Sequence, residues 1–237
     1  MEKKVEKIEL TILMPCLNEE KTIGICIEKA KKFLEDNNIN GEILIVNNGS
    51  VDDSRNIAEK MGVRIIDVEE KGYGTSLING SKCANGKYVI MGDCDDSYNF
   101  LELMPFLEML RNGYDFVIGN RYKGKMEKGS MKLLHKYIGT PLISLFGRIR
   151  YKVNIGDFNC GLRGYDTEKM NNLNCSCKGM EYASEMIIKA KMGGLKIIEI
   201  PINFYKDSRG KKSHLNTVKD GIRHFKIVFG YKLIDIE

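Results

Sequence analysis

The chain has 237 residues, enough for one large α/β domain or two small ones. Its 43% hydrophobic and 29% charged residues are ordinary for a soluble globular protein and exclude intrinsic disorder. The formal charge of +5 is modest, so the placement of charge matters more than its sum. No apolar run long enough for a signal peptide follows the charged start Met1 to Lys7, and no stretch reaches the ~18 apolar residues of a membrane span. The expectation is a cytoplasmic protein that can lie on a membrane face without crossing it. Seven cysteines, Cys16, Cys26, Cys83, Cys94, Cys160, Cys175 and Cys177, are odd in number and scattered, so they read as free thiols rather than a disulfide or zinc framework.

Ile8 to Met14 reads as a buried strand. Glu19 to Glu35 follows with apolar Ile23, Ile27, Ala30 and Leu34 at helical steps. A strand at Glu42 to Val46 ends in Asn47-Asn48-Gly49-Ser50. Asp52 to Met61 is a short helix and Val63 to Val68 a third strand. Lys71-Gly72-Tyr73-Gly74 opens a helix through Ala84, Lys87 to Met91 is the fourth strand, Leu101 to Leu110 a helix, and Asp115 to Ile118 a strand. The second half is less regular. It offers a long helix at Ser130 to Arg150, a loop and strand near Asp157 to Tyr165, and a helix at Glu181 to Met192. A strand at Lys196 to Ile200 and a last helix from Asn216 to Tyr231 complete it. Strand and helix alternate about every 20 to 25 residues, which implies an α/β fold with a mostly parallel, Rossmann-like sheet flanked by helices on both faces. No repeat or low-complexity linker interrupts residues 1–237, which read as one domain.

Ligands of open parallel sheets bind beyond the carboxyl ends of the strands. Asn18-Glu19, Asn47-Asn48 and Asp93-Cys94-Asp95-Asp96 all fall there. Three carboxylates in four residues repel one another unless a cation is bound, and a hard divalent ion, Mg²⁺ or Mn²⁺, suits oxygen ligands shared with substrate phosphates. A solvated turn is the plainer alternative. Neither a Gly-x-x-x-x-Gly-Lys-Ser/Thr loop nor a Gly-x-Gly-x-x-Gly turn occurs after the first strand.

At these residues the chain resembles family-2 glycosyltransferases of the GT-A fold, and within them the polyprenyl-phosphate sugar synthases of the dolichol-phosphate mannose and glucose synthase group. The likeness runs from about Ile8 to Phe229. It is carried by Pro15 to Glu20, Val46 to Asp52, Gly72-Tyr73-Gly74, Met91 to Tyr98, Gly119-Asn120-Arg121, Cys160 to Arg163, Gly179 to Glu185 and Arg209 to Leu215. The resemblance implies that Pro15, Leu17, Asn18 and Glu19 line a nucleotide pocket, with Glu19 near the ribose. It implies that the Asn47-Asn48 turn touches the base, that Gly72 and Gly74 border the donor, and that Asp93 and Asp95 hold metal and diphosphate. Arg121 and Arg163 would face an acceptor phosphate. Arg209, Lys211 and Ser213 would sit on a loop closing over the donor. One departure stands out: relatives usually carry Asp-Asp or Asp-Asn where this chain has Asn47-Asn48, which leaves the identity of the base open.

The reaction so implied is direct attack of an acceptor oxygen on the anomeric carbon, with inversion. A phosphate acceptor is already ionised and needs no strong base, whereas a hydroxyl needs one, with Asp157 or Glu181 as candidates. Glu181 and Glu185, four apart on one helix face, either point into the site or pair with a basic neighbour. Asp95, Asp157, Arg163 and Arg209 are the expected catalytic group. Nine Lys/Arg against one acid lie between Arg121 and Lys152, and eight against two between Asn203 and Lys232. Helices 130–150 and 216–231 pair basic residues with an apolar row (Leu134, Ile138, Leu142, Leu145, Ile149; Val218, Ile222, Phe225, Phe229). Such faces either pack on the core or meet an anionic membrane carrying a polyprenyl phosphate. Nucleic acid is excluded as a partner because aromatics do not interleave with the basic residues. A homo-oligomer is compatible with the sequence. Transfer to a soluble or polymeric hydroxyl, or a non-catalytic nucleotide-sugar binding protein, remain as alternatives.

Overall fold

The computed structural model describes residues 7–210 and 217–230. Seven strands form one sheet: β1 (Leu10–Cys16), β2 (Gly41–Asn47), β3 (Arg64–Asp67), β4 (Tyr88–Met91), β5 (Phe116–Asn120), β6 (Arg163–Asp166) and β7 (Ile197–Pro201), in the order β3-β2-β1-β4-β6-β5-β7. The β1–β2, β2–β3 and β1–β4 pairs are parallel, as is β5–β7, and β6 alone runs against its neighbours β4 and β5. The sheet is therefore mostly parallel, as the apolar strand runs imply. The exception has a local cause. Arg163-Gly164-Tyr165-Asp166 lacks the continuous apolar run of a parallel strand, and Gly164 lets Ile90 and Leu110 close over it, where a Cβ would stand 3.3 and 3.2 Å from their side chains.

Helices α1 (Ile23–Asp36), α2 (Ser54–Lys60), α3 (Tyr73–Cys83) and α4 (Met104–Arg111) connect the first five strands. In α1 the inward residues are Ile23, Cys26, Ile27, Ala30 and Phe33, the three-and-four spacing of one helical face. Strand β1 is sandwiched at the centre, with Leu10, Ile12, Leu13 and Met14 fully buried. Its central place brings the turn after β1 beside those after β2 and β4.

The expected helix 130–150 is divided. A π-helical turn at His135–Gly139 precedes α5 (Thr140–Tyr151), because Pro141 has no N–H to continue the regular ladder. Downstream lie α6 (Thr167–Asn172), α7 (Tyr182–Met192) and α8 (Thr217–Gly230). α5 and α8 are joined by Phe146, Phe225 and Phe229, whose ring centroids are 4.3 to 6.0 Å apart. Tyr151 donates a hydrogen bond to the carbonyl of Val228, and Ser184 on α7 pairs with Nδ1 of buried His224 at 2.8 Å. The outward row of α5 remains exposed, with Leu142 45%, Leu145 49% and Ile149 68% accessible, and Leu134, just ahead of the π-helical turn, is 53% accessible. Ile222, Phe225 and Phe229 on α8 continue it. Of the two readings of these helices, packing on the core is excluded for this row, while Val218 lies outside the residues whose side chains are described. No described helix is long and apolar enough to cross a membrane.

Candidate active site

The turns after β1, β2 and β4 converge on one edge of the sheet. Thr22 donates to the carbonyl of Cys94 at 2.7 Å and thereby fixes the acidic turn against the start of α1. Asn18 and Asp96 both adopt positive φ, 59° and 65°, conformations that Asn and Asp tolerate better than most residues. Within the turn, Asp95 accepts from the backbone and hydroxyl of Ser97 through Oδ1, which leaves Oδ2 directed toward Arg209 at 3.1 Å. Asp93 accepts from the Tyr73 hydroxyl at 2.9 Å, and Gly161 packs so close that a Cβ would lie 2.7 Å from Asp93 Oδ2. Asp96 pairs with Lys29 at 2.6 Å and is turned away from the other two carboxylates.

One guanidinium bridges this cluster. Arg209, 9% exposed, contacts Glu19 at 3.0 Å, Asp95 at 3.1 Å and Asp207 at 3.4 Å. The segment that carries it is tied to the acidic turn: Tyr205 N–H donates to the Ser97 carbonyl at 3.0 Å and Ser208 N–H to the Asp95 carbonyl at 3.2 Å. Burial and the neighbouring Asp95 charge raise the Asp93 carboxyl to about 6. Burial raises Glu19 to about 7 against the pull of Arg209. Buried carboxylates in such numbers call for positive charge, and the buried Glu19 Oε2 has no hydrogen-bond partner. Among the described residues no cluster of three or more His, Cys, Asp or Glu is placed to hold a metal unaided. Asp93 and Asp95 are the carboxylates that would hold a divalent ion, were donor phosphates and water to complete its ligands.

The Asn47-Asn48 turn is held by a network of internal hydrogen bonds. Asn47, 5% exposed, donates to Asp67 at 2.7 Å and accepts from the Ser50 N–H at 3.0 Å. Asn48, 4% exposed, donates to the carbonyls of Val68 and Glu70 and accepts from the Gly72 N–H. Each partner is fixed as donor or acceptor, so the amide orientations follow from the network. An aspartate at 48 could not donate to those carbonyls, which accounts for the amide there. Gly72 and Gly74 are close-packing positions. A Cβ at either would collide with the backbone of the 177–179 segment, at the carbonyls of Lys178 and Cys177.

The two arginines expected on the acceptor side, Arg163 and Arg121, are both engaged in internal contacts. Arg163 is fully buried and donates to the carbonyls of Cys160, Ala183 and Phe158 at 2.8, 2.6 and 2.8 Å. It holds the 157–163 loop onto α7 and faces no open acceptor space. Burial lowers its pKa from the ordinary arginine value. Arg121 makes a two-pronged ion pair with Asp157 at 2.7 and 2.8 Å, and its backbone N–H donates to the same carboxylate. Asp157 has no exposed surface, and both of its oxygens are engaged. Glu185 is likewise fully buried. It accepts from the N–H groups of Ser176 and Cys177 and pairs with Lys189 at 3.1 Å. Glu181 accepts from the Gly179 N–H at 3.2 Å. The two glutamates thus secure the 176–179 loop from the start of α7. Pro15, Leu17 and Asn18 are half-buried along the β1 rim, while Lys211 and Ser213 lie outside the described residues. Two site residues were not expected from the sequence. Tyr73 sits inside the Gly72-Tyr73-Gly74 motif, which was its signal. Asp67 was signalled by its place at the end of a strand beside Asn47.

Comparisons with known proteins agree with this geometry. Residues 11–173 match the Glycosyl transferase family 2 profile. The low-salt glycan biosynthesis hexosyltransferase Agl6 of Haloferax volcanii is 37% identical over 220 residues, covering 92% of this chain and 52% of that protein. The chain thus spans about half the length of that relative. A dolichyl-phosphate hexose transferase of the same organism is 28% identical, over 83% of this chain and 82% of its own. Among solved structures, glucosyl-3-phosphoglycerate synthase from Mycobacterium tuberculosis with phosphoglyceric acid superposes with a TM-score of 0.72 at 16% identity, covering 94% of this chain and 81% of that one. The same enzyme with Mn²⁺, uridine diphosphate and glucosyl-3-phosphoglycerate gives 0.69 at 17% identity, over 93% and 77%. The sheet order, the acidic turn after β4 and the match over residues 11–173 together establish that this chain belongs to glycosyl transferase family 2.

Proposed function

We propose that the chain is an inverting, metal-dependent transferase that moves a hexose from a nucleotide sugar to a polyprenyl phosphate at a membrane surface. The observation that carries the lipid acceptor is the exposed apolar row of α5 and α8, flanked by Lys132, Lys136, Arg148, Arg150, Arg223 and Lys226. A large apolar face rimmed by basic residues fits an anionic bilayer better than water. The engagement of Asp157, one of the two candidate bases, with Arg121 supports the same reading, because a phosphate oxygen needs no base to attack; Glu181, the other candidate, keeps a buried Oε2 without a hydrogen-bond partner. The dolichyl-phosphate hexose transferase relative also favours it.

In this reading Asp93 and Asp95 hold the ion and orient the donor diphosphate, with Tyr73 fixing the Asp93 carboxylate. The bound ion supplies charge stabilisation for the departing nucleoside diphosphate. Arg209, paired with Glu19 and Asp95, would offer its guanidinium to the leaving phosphate oxygens. The Arg163-braced 157–163 loop keeps its backbone against Asp93 and closes that side of the site to water.

The direct test incubates the chain with membranes and a panel of labelled nucleotide sugars. Label in the lipid fraction, sensitive to mild acid and dependent on Mn²⁺ or Mg²⁺, is the expected result. Label found only in water-soluble product overturns the lipid acceptor and moves the acceptor to a soluble phosphate or hydroxyl compound.

A further inference from the structure

We infer that Asp67, at the end of edge strand β3, reads the nucleobase of the donor, and that it selects the lactam edge of uracil or guanine over cytosine and adenine. The inference rests on the proposed use of a nucleotide-sugar donor.

The strand ends set the frame. Cys16 of β1 is in register with Asn47 of β2, and Asn47 with Asp67 of β3. Asp93 lies two residues beyond Met91, which pairs with Leu13 on the other side of β1. Three inter-strand steps of about 4.8 Å separate β4 from β3, about 14 Å in all. A nucleoside diphosphate whose phosphates sit over Asp93 and Asp95 therefore reaches with its base to the ends of β2 and β3.

At that end, Asn47 and Asn48 are poor readers. Both are nearly inaccessible, and their amides are engaged by Asp67, Ser50, Val68, Glu70 and Gly72. Asp67 is the reverse. Its side chain is 55% exposed, and Asn47 holds its Oδ1 at 2.7 Å, which fixes the carboxylate plane. Arg55 also reaches both carboxylate oxygens, with Nε and one terminal nitrogen at 3.4 Å, in an exposed, weak pair that a base N–H would share or displace. A carboxylate at 47 would face the Asp67 carboxylate and be repelled, so an amide at 47 and an acid at 67 form a matched pair. Asn48 ties the segment after β3 to this turn through the carbonyls of Val68 and Glu70 and the N–H of Gly72, and Lys71 donates to the carbonyls of Asn48 and Gly49.

The selectivity follows from what an ionised carboxylate can do. It accepts hydrogen bonds and donates none. Uracil and guanine present a ring N–H on the edge that meets it. Cytosine and adenine present a ring-nitrogen lone pair there, and the two acceptors repel. A site built around one N–H discriminates strongly against a base that lacks it.

The test measures binding of UDP, GDP, CDP and ADP by calorimetry with Mn²⁺, for the wild-type chain, Asp67→Asn and Asp67→Ala, with melting curves as a check on folding. Asp67→Asn keeps the acceptor for Asn47 through its amide oxygen, so its fold is preserved. The wild-type chain is expected to favour UDP or GDP by at least about tenfold over CDP and ADP, with the UDP and GDP arms deciding between the two bases. Both variants should reduce that preference to within about threefold. Retention of the wild-type preference in folded variants overturns the role of Asp67 and leaves the donor reading standing. A uniform loss across all four nucleotides, or a wild-type chain with no preference, also overturns it. Failure of the wild-type chain to bind any of the four removes the donor reading as well.

Discussion

The two halves of the sheet handle charge in opposite ways. On the donor side, β3-β2-β1-β4, the carboxylates lie at the strand ends, raised by burial and bridged by one guanidinium on a neighbouring segment. On the acceptor side, β6-β5-β7 with α5 and α8, the charges are internal: Arg121 on Asp157, and Arg163 on three carbonyls. The outer surface there carries an exposed apolar row rimmed by basic residues. On the proposed reading, the side whose carboxylates gather at the strand ends is the one that takes the nucleotide and a cation. A side whose charges are locked inside is built for rigidity, with recognition left to its surface.

The comparison breaks most severely if Asp95→Ala leaves transfer intact. The expected outcome is a loss of about 10³-fold or more in turnover and loss of metal-dependent donor binding, because charge stabilisation of the leaving group passes through this carboxylate. The fold should survive. Circular dichroism with calorimetry separates loss of binding from loss of structure.

Arg163→Ala makes the opposite kind of failure. It leaves three buried carbonyls without donors, and destabilisation of about 3–5 kcal/mol is expected in denaturant unfolding. Arg163→Lys should rescue little, since one ammonium cannot reach three carbonyls set around a planar fork. A folded Arg163→Ala protein of ordinary stability that has lost only acceptor affinity would return this residue to the acceptor site.

These two residues also show what a sequence discloses. The alternation of elements and the turn 93–96 were legible, because three acids crowded at the end of a buried strand repel one another until a cation joins them. Arg121 and Arg163 were not. A motif preserves a residue's place in the chain but says nothing of its direction, and an arginine can serve a buried loop as well as a phosphate. The division of the helix at 135–139 was legible in principle from Pro141. The outward turn of Leu134, Leu142, Leu145 and Ile149 was not, because an apolar row at helical spacing is the same whether core or bilayer covers it.

That row supplies the next test. Leu145→Glu with Ile149→Glu places two acids on an exposed face, so stability should change by less than about 1 kcal/mol. Sedimentation with vesicles rich in anionic lipid should fall by about tenfold or more. Unaltered sedimentation would mean that the face covers something other than lipid. A smaller effect is expected from Arg209→Ala. Removing the internal cation should tighten Mn²⁺ binding in the absence of nucleotide by a few-fold, while turnover falls through loss of a charge at the leaving group. Weaker Mn²⁺ binding would show instead that Arg209 orders the carboxylates.

The finest distinction lies in pH. Asp93 at about 6 and Glu19 at about 7 are both raised by burial above ordinary carboxyl values. A group raised in the fold contributes stability in its protonated form. That contribution is complete below the unfolded value near 4 and is lost as pH rises through the folded value. The metal-free protein should therefore lose some stability between about pH 5 and pH 8, and Glu19→Gln should flatten the part of this slope near 7. Metal binding runs the other way, since the ion needs ionised Asp93 and its affinity should weaken as pH falls through about 6. Melting curves with and without Mn²⁺ across this range should diverge as pH rises. If they stay parallel, no carboxylate that titrates in this window is a ligand, and the ion would then have to bind through Asp95 and the donor phosphates alone.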